Sequence, residues 1–224
     1  MTKSKQTITA IGAAILIVVT ALAVGPLLNN YFQKNNDGAM SSMPMASSSS
    51  SSLIQKDSND YKAYAELTGD TYDKAFIKNM ISHHEGAVSM AQAALTSAKR
   101  QEIKNMANNI ISTQSEEISK MKRWQQQWGY GDENPTTNSG SMDHDSMGMN
   151  MTNMEDALKG KTGDDFDEAF LTQMIMHHQS AINMAAPGEK NAKHQEVKDL
   201  TKAVVEAQSK EVNQMRMWQK DWGY

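Results

Sequence analysis

Residues Gly69–Tyr130 and Gly163–Tyr224 are one sequence unit written twice, aligned at a constant offset of 94 without a gap. Asp73/Asp167, Phe76/Phe170, Met80/Met174, His83/His177, His84/His178, Met90/Met184, Gln114/Gln208, Glu117/Glu211, Met121/Met215 and Trp124/Trp218 are identical pairs. Both copies close on Trp-Gly-Tyr, at Trp128–Tyr130 and Trp222–Tyr224. A match of that extent means two copies of one supersecondary unit. The chain must therefore fold in a way that two equal units can build.

Each unit reads as two helices. The first begins near Asp70 or Asp164, where Asp-x-x-Asp resembles a capping box with aspartate at N3. Its apolar face follows Phe76, Met80, Ala87 and Ala91 at helical spacing. In copy two it should stop near Pro187-Gly188. The second helix runs from about Gln101 to Trp128, with Ile103, Met106, Ile110, Glu117, Met121, Trp124 and Trp128 near one face. Gly129 and Gly223 sit where a glycine ends a helix. The paired tryptophans read as packing at the bundle ends. Two hairpins that cannot each bury their stripe alone should pair, giving an all-α four-helix bundle.

Before this duplication, Ile8 to Leu28 form 21 consecutive uncharged residues, preceded by Lys3 and Lys5. That length crosses a hydrocarbon core of roughly 30 Å as a helix. It reads as a retained anchor or, with Ala21-Leu22-Ala23 as a cleavage site, as a signal segment. Either way the chain after it is expected outside the cytoplasm. The expected organisation is an anchor or signal at 1–34, a disordered Ser/Met linker at 35–60, repeat one at 61–130, a Met-rich loop at 131–161 and repeat two at 162–224.

Zero cysteine removes disulfides, zinc-thiolate sites, thiol catalysis and a lipid-modified cysteine. A formal net charge of -4 gives no basic surface for nucleic acid. The anomaly is methionine, with 18 residues, set beside 6 histidines. On each first helix, Met80 and His84 lie four apart and His83 and Met90 seven apart, so a thioether and an imidazole share a face twice. Gln114, Glu117 and Met121 form a matching stripe on the second helix. Imidazole with thioether suits copper, methionine favouring Cu(I) and histidine tolerating Cu(II). Glu117 and Glu211 fit either direct ligation or the orientation of a histidine. Methionine at helical spacing also fills cores, the reading that fits Met106 and Met217. Eight methionines fall in segments read as having no core, in "MSSMPM" (Met40, Met43, Met45) and "MDHDSMGMNMTNM", where Met142, His144, Met147, Met149 and Met151 offer a second, weaker soft-metal set and Met154 follows.

The stretches "DKAFIKNMISHHEGAVSMA" and "DEAFLTQMIMHHQSAINMA", each followed by Gln-x-x-Glu-[Ile/Val]-x-x-Met-x-x-Trp, resemble the bacterial domain of unknown function 305 family. The resemblance covers roughly 69–130 and 163–224 and implies a ferritin-like helical bundle. The family's described members include periplasmic copper-binding proteins of the CopM type. It implies a ligand role for Met80, His83, His84, Met90, Glu117 and Met121, and for Met174, His177, His178, Met184, Glu211 and Met215. Copy two departs at Ala186–Lys190, "APGEK", which interrupts its first helix early.

The function expected is binding of copper ions, and of Ag(I), outside the cytoplasm, for buffering, sequestration or transfer with a copper donor or acceptor protein. It is not expected to be an enzyme. A ferritin-like oxidase needs Glu-x-x-His motifs that the repeats lack. A stalk-displayed interaction module is the third reading.

Overall fold

Each repeat folds as two long helices joined by a short turn. The computed structural model describes residues 50–131 and 151–224. A 3-10 turn (Ser50–Leu53) precedes α1 (Asn59–Ala65), α2 (Asp70–Ser97) and α3 (Gln101–Trp128). Then follow α4 (Met151–Asp156), α5 (Gly163–Ala185), α6 (Gly188–Asn191) and α7 (Gln195–Trp222). No strand occurs among the described residues, and the chain is all-α there. The expected anchor at 1–34, with Met40, Met43 and Met45, lies outside the described residues, as do Met142, His144, Met147 and Met149. No helix among the described residues is long and apolar enough to cross a membrane.

The second helices end as their glycines dictate. Gly129 and Gly223 adopt left-handed conformations at φ 65° and 75°, and Tyr130 N donates to Gln125 O at 2.8 Å. That six-to-one bond satisfies a carbonyl the helix would leave open. The ring after each glycine then turns edge-on to the helix's last tryptophan, Tyr130 to Trp128 and Tyr224 to Trp222, with centroids 5.7 and 5.9 Å apart. Trp124 stacks on Trp128, and Trp218 on Trp222, with centroids 5.6 and 5.2 Å apart.

The capping box expected at the first helices is not formed. Gly69, at φ 61°, precedes α2, and no side chain caps it. Asp73 instead reaches across to repeat two, accepting the backbone amides of Lys193 at 3.1 Å and His194 at 3.0 Å. Asp167 does the same for Lys99 at 2.9 Å and Arg100 at 3.0 Å. Each buried carboxylate thus caps the second helix of the opposite repeat, where free amides and the helix dipole favour negative charge. Burial raises the Asp167 carboxyl above the usual range, while those two amides pull it down.

The ordered repeat is longer than its sequence match. Under the same offset of 94, α1 at Asn59–Ala65 is the counterpart of α4 at Met151–Asp156. Residues read as linker and loop are therefore partly structural. Leu53 joins the core, as do Met154 and Leu158. Met154 is a packing residue, contrary to the expectation that no core reaches it. Identities at Asn59/Asn153, Ala63/Ala157 and Thr68/Thr162 carried this signal faintly. The short elements also cross over, α1 packing on α5 and α4 on α2.

Where the copies differ, the differences are coupled. Helix α5 ends at Ala185 ahead of Pro187, whose missing N–H stops the helix. Gly188 then sits so tightly between its own repeat's α7 and repeat one that a Cβ would lie 2.4 Å from Thr201 Cγ2 and 2.5 Å from the Tyr72 hydroxyl. That hydroxyl donates to the Met184 carbonyl at 3.1 Å, and its burial holds it well above the usual phenol range. The counterparts at the other end are Phe166, Ala94 and Ala107, with no hydroxyl and no glycine.

Two outcomes are expected in denaturant unfolding. Asp73→Ala or Asp167→Ala should cost about 2–3 kcal/mol, since each strips a charged acceptor from two amides. Gly188→Ala should cost about 1–3 kcal/mol by overpacking, and Tyr72→Phe with Thr201→Ala should recover most of it. Additive losses in that triple variant would refute the coupling.

Candidate metal centre

His83 and His84 lie midway along α2, and His177 and His178 midway along α5, all four nearly inaccessible to solvent. Adjacent helical residues point about 100° apart, so the rings of one pair diverge. Their centroids are 6.4 Å apart for His83–His84 and 6.1 Å for His177–His178. The inner rings face each other instead, His83 and His177 approaching to 3.7 Å across the junction of α2 and α5. The outer rings turn to the second helices. His84 Nε2 lies 2.7 Å from Glu117 Oε2, and His178 Nε2 lies 2.6 Å from Glu211 Oε2. A symmetric polar track therefore runs Glu117, His84, His83, His177, His178, Glu211 through an otherwise apolar interior.

Those carboxylate bonds select a nitrogen. With Nε2 donating to a glutamate, the lone pair of a neutral ring sits on Nδ1. His84 Nδ1 and His178 Nδ1 are buried without a hydrogen-bond partner. Each glutamate hydrogen-bonds its histidine, the contact that an orienting role requires. Among the described residues no three His, Asp or Glu side chains form a group able to hold an ion. A site built on the histidines would therefore draw on other side chains, and the nearby thioethers are the soft candidates.

The sulfurs are regrouped relative to the sequence. Met80, Met121 and Met184 belong to one buried cluster with Tyr64, Tyr72 and Phe76. Met174, Met215 and Met90 belong to the other, with Phe166 and Phe170. Each cluster draws on both repeats, so Met90 shares one with Met174 and Met215 while Met184 shares the other with Met80 and Met121. Met80 with His84 and Met121 with Glu117 each sit four residues apart, so the His84–Glu117 bond ties both thioether-bearing faces together. Residue Met151 lies within α4.

Sequence reasoning missed Gln114 and Gln208 as a facing pair. With Glu117, Glu211, Ile110 and Val204 they line a cavity of about 20 Å³ between α3 and α7.

An all-α protein with two internally repeated helical hairpins and a buried histidine–methionine interior is the class defined by this geometry. The chain belongs to the family described as Domain of unknown function (DUF305), whose model matches residues 26–125 and 73–219. Among solved structures it is similar to CopM in the Cu(I)-bound form, at 36% identity and a TM-score of 0.55 over 67% of this chain and 96% of that chain. CopM in the Cu(II)-bound form also matches at 36% identity, with a TM-score of 0.54 over 67% and 98%. A DUF305 protein from Streptomyces coelicolor shares the fold, at 24% identity and a TM-score of 0.59 over 68% and 92%. A comparison with curated proteins gives no match.

A double-mutant cycle tests the central bond. His84→Ala and Glu117→Ala should couple by about 1–2 kcal/mol, as should His178→Ala and Glu211→Ala. The mismatched pair His84→Ala and Glu211→Ala should be additive within about 0.5 kcal/mol.

Proposed function

We propose that this protein binds copper, and silver in its place, outside the cytoplasm, to buffer it or pass it to a partner. The observation that carries this reading is the pair of buried, unpartnered nitrogens, His84 Nδ1 and His178 Nδ1, each fixed by a carboxylate on its far side. A neutral imidazole so held is a preformed ligand, since its carboxylate sets both tautomer and ring direction. Met80, Met121 and Met184 would complete the first site, and Met174, Met215 and Met90 the second. Thioethers favour Cu(I) and Ag(I), while the imidazoles also accept Cu(II). His83 and His177 fall between the two sites and would serve either. The match to CopM structures in Cu(I)-, Cu(II)- and Ag-bound forms supports the same ions.

The apolar span at 8–28 fits a tether or secretion signal, and Met142, His144, Met147, Met149 and Met151 fit a weaker Cu(I)- and Ag(I)-selective set for capture. Reversible coordination is the whole of the chemistry proposed; no reaction is assigned.

The test is elemental analysis after copper loading, with helicity followed by circular dichroism. His84→Ala with His178→Ala should lose the bundle copper and keep helicity. Because Met90 shares its cluster with Met174 and Met215, Met90→Leu should weaken the site of His178, not that of His84, by about tenfold in Cu(I) affinity. Unchanged loading of the double histidine variant would refute the assignment.

A further inference from the structure

The cavity between α3 and α7 has a chemistry unlike the histidine–methionine interior. Ile110, Thr113, Gln114 and Glu117 on one wall face Val204, Ala207, Gln208 and Glu211 on the other, the same four positions of each repeat. The cavity therefore sits where the two repeats meet as equals. Its polar lining is all oxygen and nitrogen, with no sulfur. Gln114 and Gln208 are each 97% buried, at 3% exposure, and both Oε1 atoms lack a hydrogen-bond partner. Glu117 and Glu211 keep side-chain exposures of 12% and 20%, so the cavity reaches toward solvent past them. Among the described residues neither carboxylate pairs with lysine or arginine; each meets only its histidine. Oxygen acceptors from four side chains thus share a space of about 20 Å³ with no lysine or arginine on its wall, its neutral donors being the two glutamine amides and the Thr113 hydroxyl.

Buried acceptors without donors are costly, about 1–3 kcal/mol each. Here two such acceptors repeat symmetrically beside two carboxylates, and the space matches one small sphere. We infer that this cavity is a cation site of oxygen donors, taking one divalent ion of the Mg(II), Ca(II) or Mn(II) class. Carboxylate and amide carbonyl oxygens are the ligands such ions prefer, and water on the open side would fill the remaining positions. Glu117 and Glu211 would contribute charge to it while continuing to orient His84 and His178. The inference does not rest on the copper reading, because its distinguishing residues are the two glutamines.

Mn(II) binding to the full chain, followed by electron paramagnetic resonance, is the direct test. The parent should take up one Mn(II) by about 1 mM, the range of weak extracellular cation sites. Gln114→Leu with Gln208→Leu should weaken that uptake about tenfold or more. Gln114→Glu adds a third carboxylate and should tighten it, and Mn(II) should then raise the Tm of that variant. If the leucine variant fails to fold, Gln114→Glu decides alone. No uptake by the parent would mean that the cavity holds only water and would overturn the site. Equal uptake by the leucine variant, or no tightening by Gln114→Glu, would overturn it too. A protein that loads copper normally while ignoring Mn(II) defeats this site and leaves the copper reading standing.

Discussion

The contact of α2 with α5 at His83 and His177 is the constraint from which the other features follow. Two equal hairpins that meet through equal residues are related by an approximate twofold, and an equivalent position must then reappear on the far side. The rings at 3.7 Å mark that axis. Antiparallel α2 and α5 place the start of one beside the end of the other, which is why Tyr72 reaches the carbonyl of Met184. The same geometry puts Met90 in one cluster with Met174 and Met215, and Met184 in another with Met80 and Met121. It also brings Asp73 to the amides of Lys193 and His194. No repeat completes its own core, caps or methionine set.

This reciprocity fixes where the stabilising interactions lie. Buried imidazoles are poor core material, because burying a polar group costs free energy unless it is hydrogen-bonded. The bundle ends supply the compensation. Arg100 lies over Trp222 at 4.1 Å and reaches the Tyr224 hydroxyl, while His194 stacks on Trp128 at 3.8 Å and contacts Asp73 at 2.7 Å. Lys99 hydrogen-bonds Asp164 and holds its carboxyl below the usual range. Each end closes on the N-terminus of a second helix from the opposite repeat, locking the hairpins together far from the histidines.

Much of this could be read from the residues. The offset of 94 predicts the hairpins, and Gln101–Trp128 is the observed span of α3. The Pro187-Gly188 break and the terminal glycines also act as their chemistry requires. What stayed hidden is whatever depends on pairing between repeats. An alignment groups Met80 with Met90 because they share a helix; only the antiparallel crossing assigns Met90 to the other cluster. Asp70 and Asp73 imitate a capping box locally, yet two exposed amides across the interface offer Asp73 a better use. Helix α4 was obscured because Leu158 stands where repeat one has Tyr64, leaving little identity around a core position. Local periodicity reports which face is buried, but not which partner covers it.

The differences between the repeats bear on the two centres unequally. Positions along the polar track are identical in both copies, from Glu117/Glu211 through His84/His178 to His83/His177. The ends diverge: Tyr72, Gly188 and Thr201 stand where the other end has Phe166, Ala94 and Ala107, and His194 stands where it has Arg100. Each divergent set is self-consistent in packing, since Gly188 leaves room for the Tyr72 hydroxyl that Phe166 lacks. A duplication free to drift would change interior and ends alike. In this chain the ends have changed in compensated groups while the buried imidazoles and their carboxylates match in both halves. A purely structural interior offers no reason for that, because leucine in place of a buried imidazole removes a desolvation cost. Matched pairs of this kind are what the proposed copper reading requires, since it asks the two halves to present equivalent ligands.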